Sequence, residues 1–487
     1  MTRRLSNTTL AALPASVAKP SYDRASVTPG IVHLGVGAFH RAHQAAYVDA
    51  CLADGQTDWG IVGASLQSAA TAEALGPQDG LYTLAVRGSD GEQLRVIGSI
   101  QALLVAPRDP AALLARLVDP RIRIVTLTIT EKAYLRAASG DLDTAHPGIV
   151  SDLANPGRPQ TAHGFLVEAL ARRRAAGTPP FTILCCDNLP ANGATLHRLL
   201  VQFAGLRDPG LADHLANGVA CPSSMVDRIV PATTDADRAR IESELGVRDA
   251  WPIMTEPFSQ WVIEDHFPAG RPRWEKFGVT MVRDVRPFED MKLRLLNGSH
   301  SSIAYLGLLS GHETVAAAFA DPAIRRFVDA LWAEAITTLP KDAGLDPQAY
   351  IADLSARFSN TALAHRTAQI ANDGSQKLPQ RILGSALDRA KDGQTAVHLM
   401  VAVAAWIRAA ELRGGSLPAA HFTDPLDSGL AAIAAENRTP RDTVLAVFDL
   451  AGFARDSPHR DSLMALTAQH LHALRTKGAG EMLSALA

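Results

Sequence analysis

The sequence predicts a protein of two domains, an α/β domain with a parallel sheet followed by a mostly α-helical domain. Its 487 residues exceed the usual size of a single hydrophobic core. Short β-branched runs alternate with helical segments up to Arg286, whereas almost everything from Pro287 onward has helical period. These observations place the two domains at residues 1–286 and 287–487.

The composition is that of an ordinary globular protein, with 47% hydrophobic and 20% charged residues. The formal net charge of −3 offers no basic surface for nucleic acid. No apolar run approaches the roughly 20 residues that span a bilayer, and none follows the N-terminal arginines, so a cytoplasmic protein without a membrane partner is expected. The cysteines show neither a CxxC pair nor a disulfide framework, which favours reduced thiols at Cys51, Cys185, Cys186 and Cys221.

A glycine-rich turn ends the first predicted strand. The β-branched run from Gly30 meets Gly35 and Gly37, and a segment compatible with a helix begins at Ala38. Such glycines allow backbone N–H groups to approach a pyrophosphate. The third glycine of the GxGxxG pattern is missing, because His40 stands there, so a strand-turn-helix without a ligand is an open alternative.

The second predicted strand, Trp59–Leu66, follows a helix predicted at Gln44–Leu52 and completes a strand-helix-strand unit. This unit is typical of a Rossmann-type dinucleotide-binding domain. Where that fold meets the adenosine ribose, this strand ends in Gln67 and Ser68, with neither an acid for a 2′-hydroxyl nor an Arg for a 2′-phosphate. The absence of a cation favours NAD, and NADP is not excluded.

The rest of the first domain continues to alternate strands with helices. Two apolar runs joined by Gly-Ser-Asp-Gly, Leu81–Arg87 and Leu94–Ile100, predict a hairpin inserted in the sheet. The next elements are predicted in the order helix, buried strand, helix and strand, at Ala111–Leu117, Ile122–Ile129, Gly164–Ala175 and Phe181–Cys186.

Polar side chains follow several of these strands. Glu131 comes after one, Asn188 after the next, and Asp227 stands beside Arg228 further on. Ligand sites in open α/β sheets lie at the carboxyl ends of strands. Glu131 is therefore a candidate for a proton relay or substrate contact, and Asp227 for binding substrate hydroxyls. An exposed loop acid and an Asp227–Arg228 ion pair are the alternatives.

One helix, predicted at the start of the second domain, carries Lys292, Asn297 and His300. At about 100° per residue, Asn297 lies roughly 140° and His300 roughly 80° around the helix from Lys292, within one arc. Neighbouring leucines bury most of such a helix, which places the polar groups in or beside a core. A desolvated lysine suits a general base, and an Asn amide with a His N–H suits a reacting oxygen. An amphipathic helix whose Lys and His reach solvent is the alternative.

A polar loop of the helical domain, His365–Arg381, carries the cations Arg366, Lys377 and Arg381 around a turn at Asn372-Asp373-Gly374. Such cations suit a carboxylate ligand. Surface solvation is the competing explanation.

Two common oxidoreductase patterns are absent. No tyrosine is followed by a lysine four positions later, as short-chain enzymes require. No HExxH motif or cysteine-histidine ligand set indicates a metal.

Taken together, these motifs resemble the mannitol dehydrogenase family of polyol-specific long-chain dehydrogenases and reductases. The resemblance runs nearly from end to end and implies a Rossmann-type N-terminal domain, a mostly α-helical C-terminal domain and no catalytic metal. Besides the lysine helix and the glycine turn, it rests on motifs that are specific in combination: Thr128-Ile-Thr-Glu131, Cys186-Asp-Asn188, Met225-Val-Asp-Arg228, Glu256-Pro-Phe258 and Trp261-Val-Ile-Glu-Asp265.

The resemblance also implies roles for individual residues. Lys292 would be the general base, with Asn297 and His300 binding the reacting oxygen. Glu131 would belong to the proton path, and Asn188 and Asp227 would contact substrate. The cofactor would be held by the glycine turn and the end of the second strand, at Gly35, Gly37, Phe39, His40, Arg41 and Gln67.

Members of the family act on neutral polyols or on sugar acids. Two stretches, Thr130-Glu-Lys-Ala-Tyr134 and the His365–Arg381 loop, are similar to the uronate-reducing members, the fructuronate reductases. A uronate has a carboxylate that Lys132, Arg366 and Lys377 have a chemical reason to bind. The expected activity is NAD(H)-dependent interconversion of D-fructuronate and D-mannonate, carried out by a monomer. Mannitol 2-dehydrogenase and, more remotely, a nucleotide-binding sensor without turnover are the alternatives.

Overall fold

The computed structural model describes residues 3–363, 365–413, 415, 417 and 422–486. The chain divides into two compact units, Met1–Arg286 and Pro287–Ala487. The division falls where the sequence changes from alternating elements to a continuous helical pattern. Along the described residues, no helix is both long enough and apolar enough to cross a membrane.

The N-terminal unit contains the strands of the described chain, and the largest of its sheets organises it. In chain order the strands are β1 (Pro29–Leu34), β2 (Gly60–Ser65), β3 (Tyr82–Gly88), β4 (Gly91–Ile97), β5 (Ile100–Val105), β6 (Ile124–Leu127), β7 (Thr182–Cys185), β8 (Ser224–Asp227), β9 (Ile253–Thr255), β10 (Gln260–Glu264) and β11 (Thr280–Val282). The main sheet is parallel, with the strand order β5-β2-β1-β6-β7. All its strands therefore end at the same edge.

Helices pack on the sheet because successive strand residues point to opposite faces. In β1, Val32 and Leu34 join one apolar cluster and Ile31 joins the other. The helices of this unit are α1 (Ala38–Ala42), α2 (Gln44–Ala53), α3 (Ala70–Leu75), α4 (Pro110–Val118), α5 (Pro147–Ala154), α6 (Ala162–Ala175), α7 (Asn192–Gly205), α8 (Pro209–Gly218) and α9 (Asp235–Leu245).

The predicted hairpin exists, but its place in the main sheet was predicted wrongly. β3 and β4 pair antiparallel in a separate sheet of order β4-β3-β9. The run predicted as one strand to Ile100 breaks where the Gly98 N–H donates to Asp49 (2.9 Å) and the Ser99 hydroxyl donates to the Ala45 carbonyl (2.8 Å). The chain leaves β4 there and enters the main sheet as β5. A further small sheet has the order β11-β10-β8.

The C-terminal unit is helical throughout its described residues. Its helices are α10 (Arg286–Met291), which begins on the last residue of the first unit, α11 (Gly298–Leu309), α12 (Val315–Ala320), α13 (Pro322–Ile336), α14 (Pro347–Phe358), α15 (Thr367–Ile370), α16 (Gly374–Leu378), α17 (Gly384–Lys391), α18 (Val397–Leu412), α19 (Asp427–Ala435), α20 (Pro440–Ala451) and α21 (Arg460–Ser484). α21 is interrupted at Gly478. Segments of π-helix join α10 to α11 (Lys292–Asn297) and α16 to α17 (Pro379–Leu383).

An Asp-Pro pair begins four of the described helices, α4 and α8 in the N-terminal unit and α13 and α14 in the C-terminal unit. Asp109, Asp208, Asp321 and Asp346 each accept a hydrogen bond from a backbone N–H of the first turn, and proline follows directly. Proline suits the first helical position because its missing N–H has no partner there in any case. Each such cap stabilises its helix by about 1 kcal/mol.

The core of the C-terminal unit forms where α11 packs against α18, which is buried along most of its length. Trp332 and Trp406 are among its largest fully buried side chains. The predicted fold class, a Rossmann-type α/β domain followed by a mostly α-helical domain, is confirmed.

Candidate active site

The two glycines after β1 have different physical reasons to be glycine. Gly35 has φ +93°, and a Cβ there would lie 2.1 Å from the Thr128 carbonyl oxygen, so the fold itself requires glycine. Gly37 has an ordinary backbone, and the nearest atom to a Cβ there is the Gly35 oxygen at 3.8 Å. The protein therefore leaves open space beside Gly37. That space fits a dinucleotide phosphate approaching the backbone.

The residues after the glycine turn differ in burial. Phe39 is half-buried and stacks on His43 with ring centroids 5.0 Å apart. His40 and Arg41 are fully buried. His40 stacks on His33 at 3.4 Å, and Arg41 donates to the Trp251 carbonyl at 2.8 Å.

The burial of these side chains favours a supporting role over direct contact with the cofactor, and their cofactor-binding role stays a prediction. Burial lowers the pKa of His40 well below its ordinary value and that of Arg41 to about 10. The Arg41 guanidinium also lies 4.8 Å from the centroid of the Trp251 ring. Their placement suits support of the glycine turn from beneath. Gln67, by contrast, is exposed two residues after β2, where a side chain is free to reach a ribose.

The topology brings the predicted polar strand ends of the N-terminal unit to one edge. β1, β6 and β7 are neighbours in the parallel sheet, so the glycine turn, Glu131 and Asn188 follow adjacent strand ends. Glu131 and Asn188 are both exposed there. Asp227 is the last residue of β8 and is buried. β8 starts beside β7, because the Ser224 hydroxyl donates to the Cys185 carbonyl at 2.7 Å.

Arg228 uses its guanidinium on the backbone. It donates to the carbonyl oxygens of Ala42 and Glu256, and the Glu256 carboxylate accepts from the Ile229 N–H at 2.7 Å. Arg228 therefore connects the end of β8 to α1 and to the residues after β9.

The loop that carries Glu131 has an unusual backbone. Thr130 has φ +72° and ψ +151°, and a 3₁₀ turn follows over Glu131–Tyr134. The carboxylate of Asp187 accepts from the N–H groups of Ile129 and Thr130 and from the Tyr134 hydroxyl. Burial raises the pKa of the Asp187 carboxyl, and these hydrogen bonds oppose that rise.

In the C-terminal unit, Lys292 opens a π-helical segment that Asn297 closes. Lys292 is buried, with 9% of its surface exposed, and Asn297 is half-buried. The Gly298 N–H donates to the Leu293 carbonyl five residues earlier. The α-helical angles predicted from the sequence therefore do not apply here, because a π-helix has more residues in each turn.

Side chains satisfy backbone groups that this π-helical segment displaces. The Leu295 carbonyl accepts from the Ser299 hydroxyl and from the Trp332 indole N–H, the latter at 3.1 Å. The segment also contacts the second π-helical segment, Pro379–Leu383. A Cβ on Gly298 would lie 2.8 Å from the Arg381 carbonyl oxygen. π-Helical turns occur frequently at functional sites, and here two of them pack together beside Lys292.

His300 is surrounded by positive charge. Its Nε2 is buried and has no hydrogen-bond partner in the described part of the chain. Its ring stacks on Phe358 at 5.5 Å and meets the His365 ring edge-on at 4.9 Å. Burial lowers the pKa of His300 well below its ordinary value, and the charges of His365, Arg381, Arg357 and Lys377 lower it further. His300 is therefore a neutral imidazole at pH 7.

The two loop cations near His300, Lys377 and Arg381, have different hydrogen-bond partners. Lys377 is half-buried and donates to the Asn372 carbonyl at 2.7 Å, and burial lowers its pKa. Arg381 donates to the Ser301 hydroxyl at 3.0 Å. Asp373 and Asp424 partly offset the positive charge around Lys377.

Arg366 is the predicted substrate ligand that the structure does not bring to His300. Residues 365–367 run extended beside residues 313–315. Alternate side chains of an extended segment point to opposite sides. His365 meets His300 and Thr367 is buried, so Arg366 is exposed on the other side.

Sequence analysis missed two residues and undervalued a third. The positive charge of Arg357, in α14, contributes to lowering the pKa of His300. An Arg in an amphipathic helix has no distinguishing sequence signal. Asp187 was noted only as part of a motif. Arg381 was noted as a loop cation, and its approach to Ser301 depends on the packing of the second π-helical segment. Within the described residues no group of His, Cys, Asp and Glu is arranged to hold a metal ion.

Both units match known domain families. Residues 29–276 match the mannitol dehydrogenase Rossmann domain, and residues 284–475 match the mannitol dehydrogenase C-terminal domain. The D-mannonate oxidoreductase of Escherichia coli (strain K12) is 43% identical over 477 residues, covering 96% of this chain and 98% of that protein. A mannitol 2-dehydrogenase of Cereibacter sphaeroides is 41% identical over 472 residues, covering 96% and 98%.

Solved structures agree with these relatives. The Pseudomonas fluorescens mannitol 2-dehydrogenase, in a ternary complex with NAD and D-mannitol, has a TM-score of 0.84 at 38% identity and 99% coverage of both chains. A substrate-free D-sorbitol dehydrogenase has a TM-score of 0.91 at 33% identity, covering 99% of this chain and 100% of that one. The fold, both domain matches and these identities show that the chain belongs to the mannitol dehydrogenase family.

Proposed function

We propose that this protein is an NAD(H)-dependent oxidoreductase that interconverts D-fructuronate and D-mannonate, a 2-keto sugar acid and its secondary alcohol. The observation that carries the choice of an acidic substrate is the positive charge of Arg357, Lys377 and Arg381 around His300. A carboxylate is bound more strongly by such cations than the hydroxyl groups of a neutral hexitol are. The 43% identity to a D-mannonate oxidoreductase supports the same choice.

Lys292 is the proposed general acid and base. When bound, reduced nicotinamide supplies the hydride that reduces the C2 carbonyl. The Lys292 ammonium donates a proton to the carbonyl oxygen, and in the reverse direction its amine accepts the hydroxyl proton. Its buried position in the π-helical segment supports this role, because a desolvated ammonium gives up its proton more readily.

Asn297 and His300 are proposed to hold the reacting oxygen. The Asn297 amide and the neutral His300 ring can each donate a hydrogen bond while negative charge develops on it. A neutral imidazole is a much weaker acid than an ammonium, so His300 polarises the carbonyl and leaves proton transfer to Lys292. The buried Nε2 of His300, without a partner in the described residues, is available for this purpose.

The remaining contacts divide between the ends of the substrate. We assign the carboxylate to Lys377 and Arg381, with Arg357 adding charge. Asn188 and Asp227 contact hydroxyl groups, and Glu131 belongs to the proton path. Beside the open space at Gly37, Gln67 offers an amide to the ribose, which suits NAD; NADP is the other possibility for the cofactor.

A second candidate is mannitol 2-dehydrogenase, with the same residues acting on a neutral substrate. It is favoured by the structural similarity to the complex with NAD and D-mannitol and by the 41% identity to the Cereibacter sphaeroides enzyme. In that case the cations around His300 would be structural or would bind hydroxyl groups.

The test is NADH oxidation by the purified protein with D-fructuronate and with D-fructose in parallel. We expect much higher catalytic efficiency with D-fructuronate; preference for D-fructose would select the mannitol enzyme. Lys292→Ala should lower turnover by about 10²- to 10⁴-fold and leave NADH affinity unchanged. Lys391→Ala, at an exposed lysine of α17 paired with Asp388, is the matched control. Near-normal turnover of Lys292→Ala would refute the assignment of Lys292 as the general acid and base.

A further inference from the structure

Thr130 holds a backbone conformation that its side chain opposes. Its φ of +72° and ψ of +151° fall in a region occupied almost only by glycine. Thr is β-branched, so its side chain crowds the backbone more than most residues do at positive φ. Such strain persists only where the surrounding structure imposes it, and it concentrates at functional sites. The strained peptide directly precedes Glu131.

A single carboxylate, that of Asp187, accepts three hydrogen bonds from this loop. The Ile129 N–H donates to Asp187 Oδ2 at 2.9 Å, and the Thr130 N–H donates to Oδ1 at 3.1 Å. The buried Tyr134 hydroxyl donates to Oδ2 at 2.7 Å from the far end of the 3₁₀ turn. Asp187 therefore forms hydrogen bonds with the Glu131 loop on both sides of Glu131.

Asp187 is itself anchored to the sheet. It follows β7 by two residues, and its carbonyl accepts from the side-chain amide of Asn192 at 3.1 Å. The same Asn192 amide donates to the Ser224 carbonyl at 2.7 Å, and the Ser224 N–H donates back to Asn192 Oδ1 at 2.9 Å. Hydrogen bonds through Asn192 thus hold Asp187, and with it the loop, to the end of β7 and the start of β8.

We propose that Asp187 is a positioning residue that sets the geometry of Glu131 for proton transfer. This rests on the proposed function, in which Glu131 belongs to the proton path. An asparagine at 187 has the same shape but exchanges an acceptor oxygen for an N–H₂ group. One loop N–H then faces another donor, Thr130 relaxes to an unstrained conformation, and the carboxylate of Glu131 moves with the chain.

The first test measures the loop without any reaction, by hydrogen exchange of the backbone amides of residues 127–135 in the full-length protein. Asp187→Asn should speed exchange of the Ile129 and Thr130 amides by about tenfold or more. Unchanged exchange there would overturn the proposal.

The chain offers a closely matched control. Asp152 is buried and also accepts from two successive N–H groups and one hydroxyl, those of Gln160 and Thr161. Asp152→Asn should speed exchange around residues 160–161 only. Faster exchange of residues 129–130 in this variant as well would mean that the loop responds to general destabilisation, which also overturns the proposal.

The second test is a double-mutant cycle on turnover of D-fructuronate with NADH. Asp187→Asn should lower kcat by about a hundredfold, with KM for NADH unchanged, and should shift the pH profile as Glu131→Gln does. If Asp187 acts through Glu131, adding Asp187→Asn to Glu131→Gln costs little more. Asp152→Asn should keep the wild-type pH profile and combine additively with Glu131→Gln.

The outcomes separate the two proposals. Multiplicative losses in the Asp187→Asn/Glu131→Gln cycle, or a Glu131→Gln variant with normal kcat and pH profile, would refute positioning through Glu131. If the wild-type protein reduces D-fructose instead of D-fructuronate, the same cycle is run with D-fructose, and only the substrate assignment fails. If it reduces neither, the proposed function fails and the inferred catalytic role of Asp187 falls with it, while amide exchange still reports whether Asp187 holds the loop.

Discussion

Two loops that carry candidate site residues, one in each unit, each contain a residue with positive φ, and the backbone there is stabilised differently in the two loops. The Glu131 loop has a residue with positive φ at Thr130, and the Lys377 loop, residues 365–381, has one at Asp373, with φ +59°. Each is held by a buried or half-buried carboxylate distant in sequence. Asp187 holds the first, and Asp424 holds the second by accepting from the Ser375 N–H at 2.8 Å and from its hydroxyl.

The difference lies in how much of each conformation is local. Asp tolerates the left-handed region, and it stands inside an Asn-Asp-Gly turn. Gly374 is required as well, because a Cβ there would lie 2.3 Å from Trp406 Nε1. At Thr130 no residue preference supports the backbone, and its N–H is held by a residue 57 positions away. The second loop therefore has local support for its backbone beside its distant contact, and the first loop lacks it.

The largest expected effect is a rise in KM when Asp424, which holds the second loop, is replaced, in contrast to the fall in kcat expected for Asp187→Asn. Asp424→Asn leaves one buried N–H without an acceptor and should destabilise the protein by about 2 kcal/mol. Because it loosens the loop that presents Lys377, it should raise KM for D-fructuronate more than it lowers kcat, opposite to Asp187→Asn. Urea denaturation and steady-state kinetics check both effects.

Asp346→Asn is the control for Asp424→Asn. Asp346 caps α14, and Asp and Asn are equivalent at that position, so the variant should match the wild type. Should Asp424→Asn lower kcat with KM unchanged, the two loops would not divide binding from proton transfer.

The next effect is acid sensitivity of the first loop, which the buried His33 supports. His33 lies within hydrogen-bond distance of Thr128 Oγ1, at 2.9 Å, and of the Gly35 carbonyl, at 3.1 Å. Burial lowers its pKa to about 3, whereas an unfolded His has a pKa of about 6.5. The unfolded state then binds more protons between these values, so the stability from His33 is present above pH 6.5 and is lost as pH falls toward 3.

For this one group the loss at pH 5 is about 2 kcal/mol. His33→Gln removes the titration, so its unfolding free energy should fall less between pH 7 and pH 5 than that of the wild type. Guanidinium denaturation at both pH values measures the difference. Equal losses in the two proteins would show that His33 does not carry this acid sensitivity.

The smallest effect tests the local support directly. Thr130→Gly relieves about 1–3 kcal/mol of strain and adds about 0.5–1 kcal/mol of chain entropy, so it should stabilise the protein by about 1 kcal/mol. Asp373→Gly should change stability by less than about 0.5 kcal/mol, because Asp already tolerates its conformation. Thermal denaturation of the two variants provides the comparison, and a destabilised Thr130→Gly would contradict the account of strain.

Local pattern was sufficient for most elements of the N-terminal unit. The helix predicted at Gln44–Leu52 is observed at Gln44–Ala53, and that predicted at Gly164–Ala175 begins two residues earlier, at Ala162. The second of these helices also has its cap next to it in sequence, because the Thr161 side chain accepts from the Gly164 N–H. The hairpin was misplaced because the break after Ile97 depends on Asp49, which is remote in sequence.

The candidate site was less predictable because its geometry comes from packing. The helical wheel gave the wrong angles for Lys292 and Asn297, since π-helix depends on contacts such as that of Trp332 with the Leu295 carbonyl. Arg366 and Arg381 look equivalent as loop cations. Only the pairing of residues 365–367 with 313–315 turns the first outward, and only the close approach at Gly298 brings the second beside Ser301.

The amino-acid sequence alone determined the order of the two domains, the glycine turn, the polar strand ends and the resemblance to the mannitol dehydrogenase family, because these reside in composition, period and short motifs. Tertiary structure decided which polar residues are supports and which remain accessible. It buried His40 and Arg41, exposed Gln67, and imposed the strained backbone at Thr130 through Asp187. The physical reason is that burial and hydrogen-bond satisfaction depend on residues far apart in the chain, which no local pattern records.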